Sequence, residues 1–143
     1  MMNLSASIKF HATRTPRATA LIYEGAHISY AELWERVQAL AAWLAGRGIG
    51  EGDVVAVFMK NSPAFIETAI ATSHIGGVFL PVNYRLARDE VAYILENSEA
   101  KLLLADDEFE PVVGGLPGLV LLDAAGQKDV RSFAGAPERA VPA

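Results

Sequence analysis

The order of segments predicts an α/β fold: a parallel sheet built from βαβ units with helices on both faces, preceded by a short helix and a β-hairpin. Three observations carry that expectation. Over residues 53–106, short apolar runs alternate with helix-length amphipathic stretches, the pattern of crossover connections between parallel strands. The runs are apolar nearly throughout rather than at every second residue, as befits strands covered on both faces. Turn and capping residues fall at the junctions between them.

Each element has its own local reason. A first helix is expected over residues 4–14, with Leu4, Ile8 and Ala12 on one face and Pro16 beyond its end. The short runs 18–25 and 27–30 flank a turn at Gly25, a spacing that suggests a hairpin. Ser29 followed by Glu32 forms a capping box, after which Leu33, Val37, Leu40, Ala41 and Leu44 trace one helical stripe. Residues 46–52 (GRGIGEG) look like a phosphate-binding glycine loop at first sight. Such a loop follows a strand and opens a helix, whereas here the helix comes first, so the run reads as a connector.

A buried strand follows at 53–60, then Ser62 as N-cap with Pro63 at the first helical position. Phe65, Ile66, Ala69, Ile70 and Ser73 are expected to line the inner face of that helix, which Gly76 or Gly77 ends. A strand at 77–82 and a helix at 87–97, with Val91, Ile94 and Leu95 inward, come next. Strands at 101–106 and 118–123 complete the sheet. Residues 1–123 therefore read as one folded unit and 124–143, rich in Ala, Gly and Pro, as a connector.

Composition narrows the function. The chain of 143 residues has a net charge of −5 with scattered basic residues, which disfavours nucleic-acid partners. It has no cysteine, so disulfides and thiolate chemistry are excluded. The most apolar stretch, 64–82, contains Glu67, His74, Gly76 and Gly77; a helix and a buried strand explain it better than a transmembrane segment. No basic leader precedes an apolar run at the start, and a cytoplasmic location is the expectation.

Few side chains suggest chemistry. His74 falls on the apolar face of its helix and reads as a half-buried, hydrogen-bonded histidine. His11 and His27 have no partner at metal spacing. Ser62 sits at a strand-to-helix turn but lacks the glycine flanks of a nucleophile elbow, so capping is its expected work. The run DDEFE (106–110) follows a strand end, where it could ligate magnesium or form a solvated acidic loop. Arg85 stands just past a strand end beside Tyr84, where the crevice of an open sheet lies. Its planar fork suits phosphate and the Tyr84 ring could stack on a base. Alternatively Arg85 faces solvent or pairs with Asp89 or Glu90.

Residues 28–106, from ISYAEL to KLLLAD, resemble the N-terminal part of the AMP-forming acid–CoA ligases of the adenylate-forming superfamily. Two segments carry the likeness: SYAEL (29–33), opening the long helix, and GGVFLPVN (76–83). The NYRL run (83–86) is more similar to fatty-acyl and aryl acid–CoA ligases than to peptide-synthetase adenylation domains. The resemblance implies ATP, Mg2+ and coenzyme A as cofactors and a small carboxylic acid as substrate. It also implies an arginine, here Arg85, that reaches the CoA nucleotide phosphates. Homo-oligomerisation is compatible with it.

The superfamily's Ser/Thr/Gly-rich phosphate loop with its lysine has no counterpart in the 143 residues, nor has its adenylation lysine domain. The expectation is accordingly an N-terminal portion of the large AMP-binding domain, with no catalytic residue of its own and no activity alone. A self-standing α/β module that binds a nucleotide or a protein without catalysis is the competing reading.

Overall fold

A computed structural model describes residues 4–122. The connector expected at 124–143 lies outside the described residues. Within them, the chain runs through α1 (Leu4–Arg14), β1 (Thr19–Tyr23), β2 (Ala26–Ser29), α2 (Tyr30–Gly46), β3 (Val54–Phe58), α3 (Pro63–His74), β4 (Val78–Pro81), α4 (Arg88–Ser98), β5 (Leu102–Asp106), a 3-10 turn (Asp107–Phe109), α5 (Glu110–Val113) and β6 (Leu119–Leu122). β1 and β2 form an antiparallel hairpin. Its turn places Glu24 and Gly25 at φ +49° and +81°, the left-handed pair that matches the twist of the flanking strands.

β3 to β6 form one sheet in the order β4-β3-β5-β6, every pair parallel. The strands alternate their side chains between two cores. Val55, Val57, Leu102, Leu104, Val120 and Leu122 face the stripe of α2 (Leu33, Val37, Leu40, Ala41, Leu44), as well as Ala64, Ile70 and Ala71 of α3. Ala56, Phe58, Leu103, Ala105, Leu119 and Leu121 face Val91 and Leu95 of α4 and Val113 of α5. Each fully buried leucine contributes roughly 1.5–3 kcal/mol relative to exposure. The expected helices on both faces are thus present.

The capping signals act as expected. The Ser29 hydroxyl accepts from the Glu32 amide at 3.2 Å, and Glu32 accepts from the Ser29 amide at 3.3 Å. Ser62 accepts from the Phe65 amide at 3.3 Å, and Gly76 (φ +80°) follows the end of α3. Residues 46–52 connect α2 to β3, with no helix following them.

The inner face of α3 agrees with expectation at Ile70 and differs at the other positions. Ala64, Glu67, Thr68, Ile70, Ala71 and Thr72 are buried, whereas Ile66 is exposed and Phe65, Ala69 and Ser73 are half-buried. Small residues on the buried face let the helix approach its neighbours closely. The bulkier Phe65 and Ile66 instead line a surface groove with Ile8, Ala20 and Leu21. Glu67 is fully buried, with an Arg36 guanidinium nitrogen 3.5 Å from its carboxylate, bridging α3 to α2.

Candidate functional site

Strand order fixes where a crevice opens. From β3 the chain moves to one side for β4, then crosses to the other side for β5. The connections that leave β3 for β4 and β5 for β6 run to opposite sides, so the carboxyl ends of β3 and β5 form the switch point at which open α/β sheets bind ligands. Sequence order alone had pointed to the end of β4. The structure brings both places together, because β3 and β4 run side by side and the Val82 amide donates to the Val57 carbonyl at 2.9 Å.

Past β4 the NYRL run is a tight turn. The Asn83 side-chain oxygen accepts from the Arg85 amide at 2.9 Å, and the Leu86 amide closes on the Asn83 carbonyl at 3.1 Å. An asparagine suits this place because its side chain replaces a backbone acceptor. The turn leaves the Arg85 side chain exposed, with its guanidinium carbon 5.3 Å from the centre of the Tyr84 ring. Among the described residues no carboxylate lies at ion-pair distance from Arg85, so the alternative of pairing with Asp89 or Glu90 is not realised. Arg88, three residues on, is instead committed to the fold, donating to the carbonyls of Val112 at 3.1 Å and Gly114 at 2.6 Å.

Tyr84 is half-buried. Its ring lies at 31° to that of Phe109, centre to centre 5.6 Å, and Phe109 in turn meets Phe58 edge-on. A second cation, the Lys60 ammonium, lies 5.9 Å from the Tyr84 centre. Lys60 directly follows the β3 end; its amide donates to the Asp106 carboxylate at 3.2 Å, and its ammonium pairs with Glu108 at 3.0 Å. The Glu108 hydrogen bond is the main cause holding the Lys60 ammonium above its ordinary pKa. From the hairpin, Tyr23 senses the same charges. Burial first, then the carboxylates of Glu24 and Asp106, push its phenol above the usual value.

The acidic run 106–110 is neither an open loop nor a metal cluster. It folds into the 3-10 turn and the start of α5, and Asp106 and Glu108 are taken up by Lys60. No group of three or more His, Cys, Asp or Glu among the described residues is arranged to hold a metal ion. His74 is hydrogen-bonded as expected, its Nδ1 2.8 Å from the Ser5 hydroxyl, and it meets Trp34 edge-on. It is exposed rather than half-buried, because it occupies the last turn of α3. Its partner Ser5 is the buried member, and the pair ties α1 to α3. Ser62 caps α3, as anticipated. Lys60, which sequence reasoning passed over, is the addition. The signal available was a lysine between an apolar strand and the Asn61-Ser62-Pro63 helix start.

This end of the sheet can thus present two cations and an aromatic face to an anionic, planar ligand. The family of AMP-binding enzymes matches residues 8–139. The chain belongs to that family. Among curated relatives, feruloyl-CoA synthase from an Amycolatopsis species is 39% identical over 119 residues, covering 82% of this chain and 24% of that protein. The fatty acid–[acyl-carrier-protein] ligase ScoC from Streptomyces coeruleorubidus is 35% identical over 117 residues, covering 82% of this chain and 22% of its own length. The chain therefore spans about a quarter of the length of these relatives. Among solved structures, the N-terminal domain of FACL13 from Mycobacterium tuberculosis superimposes with a TM-score of 0.80 at 26% identity, covering 100% of this chain and 38% of that one.

Proposed function

We propose that this chain is part of an ATP-dependent, AMP-forming acid–CoA ligase. Such an enzyme converts a carboxylic acid to an acyl-adenylate and then to an acyl-CoA thioester, with Mg2+ accompanying ATP. A fatty or aryl acid is the substrate class, and the cytoplasm, where ATP and CoA are both at hand, is the compartment. The observation that carries the reading is Arg85: an exposed guanidinium with no carboxylate partner among the described residues, braced against Tyr84 at a strand end, in a chain of the AMP-binding family. Its role is to bind the nucleotide phosphates of CoA by charge-assisted hydrogen bonds. Tyr84, braced by Phe109 and flanked by Arg85 and Lys60, would sit beside the adenine.

Asp106 and Glu108 are engaged with Lys60, and among the described residues no cluster is arranged for a metal, so the Mg2+ that accompanies ATP is not assigned to the 106–110 run. Activation requires ATP, metal and acid to be held together. A chain spanning about a quarter of its relatives' length is accordingly proposed to lack pyrophosphate exchange by itself. Exchange by the purified 143 residues would defeat that view.

In the intact protein, Arg85→Ala is expected to raise the apparent KM for CoA about tenfold while acid-dependent pyrophosphate exchange continues. Unchanged CoA kinetics would remove Arg85 from the site. The likeness to a fatty acid–[acyl-carrier-protein] ligase supports a second acceptor, the thiol of a carrier protein. Thioester formation on holo carrier protein but not on CoA would favour it.

A further inference from the structure

We propose that Lys60 is a second phosphate-binding residue of this same site, with Glu108 as the counter-ion that the ligand's phosphate displaces. The inference rests on the reading of Arg85 as a CoA contact and extends it to a residue on a different strand. Lys60 and Arg85 approach one ring, at 5.9 and 5.3 Å from the Tyr84 centre, so a ligand lying on Tyr84 with phosphates at two positions has a cation for each. The backbone of Lys60 is fixed at the switch point by Asp106, while its side chain is free to turn: 56% of it is exposed, and 46% of its partner Glu108.

An ion pair so exposed holds its geometry weakly, because water screens it and two long side chains must be ordered to make it. A phosphate offers the ammonium more charge and more acceptor oxygens than Glu108 does. Exchange of one anion for the other therefore favours the ligand, and Glu108 acts as a competitor that weakens binding when the site is empty of phosphate. The bond from the Lys60 amide to the Asp106 carboxylate involves only the Lys60 backbone and persists when the side chain turns.

Isothermal titration of the intact protein with CoA, across a series of salt concentrations, tests this with three variants. Lys60→Met is expected to weaken CoA binding by about tenfold and to flatten its salt dependence. Glu108→Gln is expected to tighten binding several-fold, since it removes the competitor and keeps the shape. Arg85→Met reports on the underlying reading. If Arg85→Met weakens CoA binding and Lys60→Met does not, the Lys60 proposal is overturned and the Arg85 reading stands. If neither variant changes binding, both fall. Weaker or unchanged binding in Glu108→Gln overturns the counter-ion role. Urea midpoints of the three variants, expected to match the parent's, separate these effects from loss of fold.

Discussion

Replacing Gly118 by alanine is expected to destabilise the chain by roughly 3–5 kcal/mol, against about 1 kcal/mol for the same change at Gly25. The two glycines share a left-handed backbone, φ +73° and +81°, so that conformational cost is common to both. It is about 1–2 kcal/mol, offset by about 0.4–1 kcal/mol from the stiffer unfolded chain. Their surroundings differ. A Cβ on Gly25 meets nothing within 4 Å, whereas a Cβ on Gly118 falls 2.6 Å from the Lys101 carbonyl oxygen and 3.2 Å from its carbon. Backbone cannot yield as a side-chain tip does, and overpacking of this kind costs about 1–3 kcal/mol. Relieving it by moving Gly118 away stretches the bond from the Leu103 amide to the Gly118 carbonyl, now 2.9 Å, at a further cost of about 1 kcal/mol. Urea unfolding followed by the fluorescence of Trp34 and Trp43 measures both variants, with the midpoint shifting at constant slope. The melting temperature of Gly118→Ala is expected to fall by on the order of 10 °C. Equal midpoints for the two variants would refute the argument that close approach of β5 and β6, rather than backbone conformation, governs position 118.

Two further expectations concern local electrostatics and capping. The Asp53 carboxyl is held below its ordinary value of 3.8, first by the Gly50 amide and then by Lys101. Its folded pKa is lowered, so its stabilisation is complete above that ordinary value and fades as pH falls through the folded one. Asp53→Asn should therefore lower the urea midpoint at pH 7 and narrow its gap from the parent below pH 4; a gap independent of pH would contradict the assignment. Ser29→Ala should cost about 1 kcal/mol, and Glu32→Ala should cost much less in the Ser29→Ala background than in the parent, because the two share one capping box. Additive losses in the double-mutant cycle would count against that coupling.

The elements of this fold were legible because local signals agreed with them: Ser29 with Glu32, Ser62 with Pro63, and strands apolar on both faces. The face of α3 was not. Ranking positions by size selects Phe65 and Ile66, yet close packing beneath the helix selects Ala64, Thr68 and Ala71, and only the sheet's position decides between them. The burial of Glu67 depends on Arg36, 31 residues away, which no local pattern reports. Arg85 and Tyr84 could be singled out because they sit beside a strand end. For Lys60 the sequence offers only its place between a strand and a helix start; its contacts come from strand order, because β5 lies next to β3 and that places Asp106 and Glu108 beside it.

Pro81 makes the two margins of the sheet unequal. In β4 the amides of Val78 and Val82 donate to β3, so by alternation the positions between them that face outward are 79 and 81. At 81 there is no amide hydrogen to give, and a strand laid along that side would lose a ladder bond at once. β6, the opposite margin, has the sequence LVLL with an amide at every residue. Among the described residues the two margins therefore differ: a strand added beside β4 would lose a ladder bond at Pro81, and one added beside β6 would not. That loss falls on the margin that carries Arg85, so Pro81 disfavours strand addition on the side where the mouth of the crevice lies.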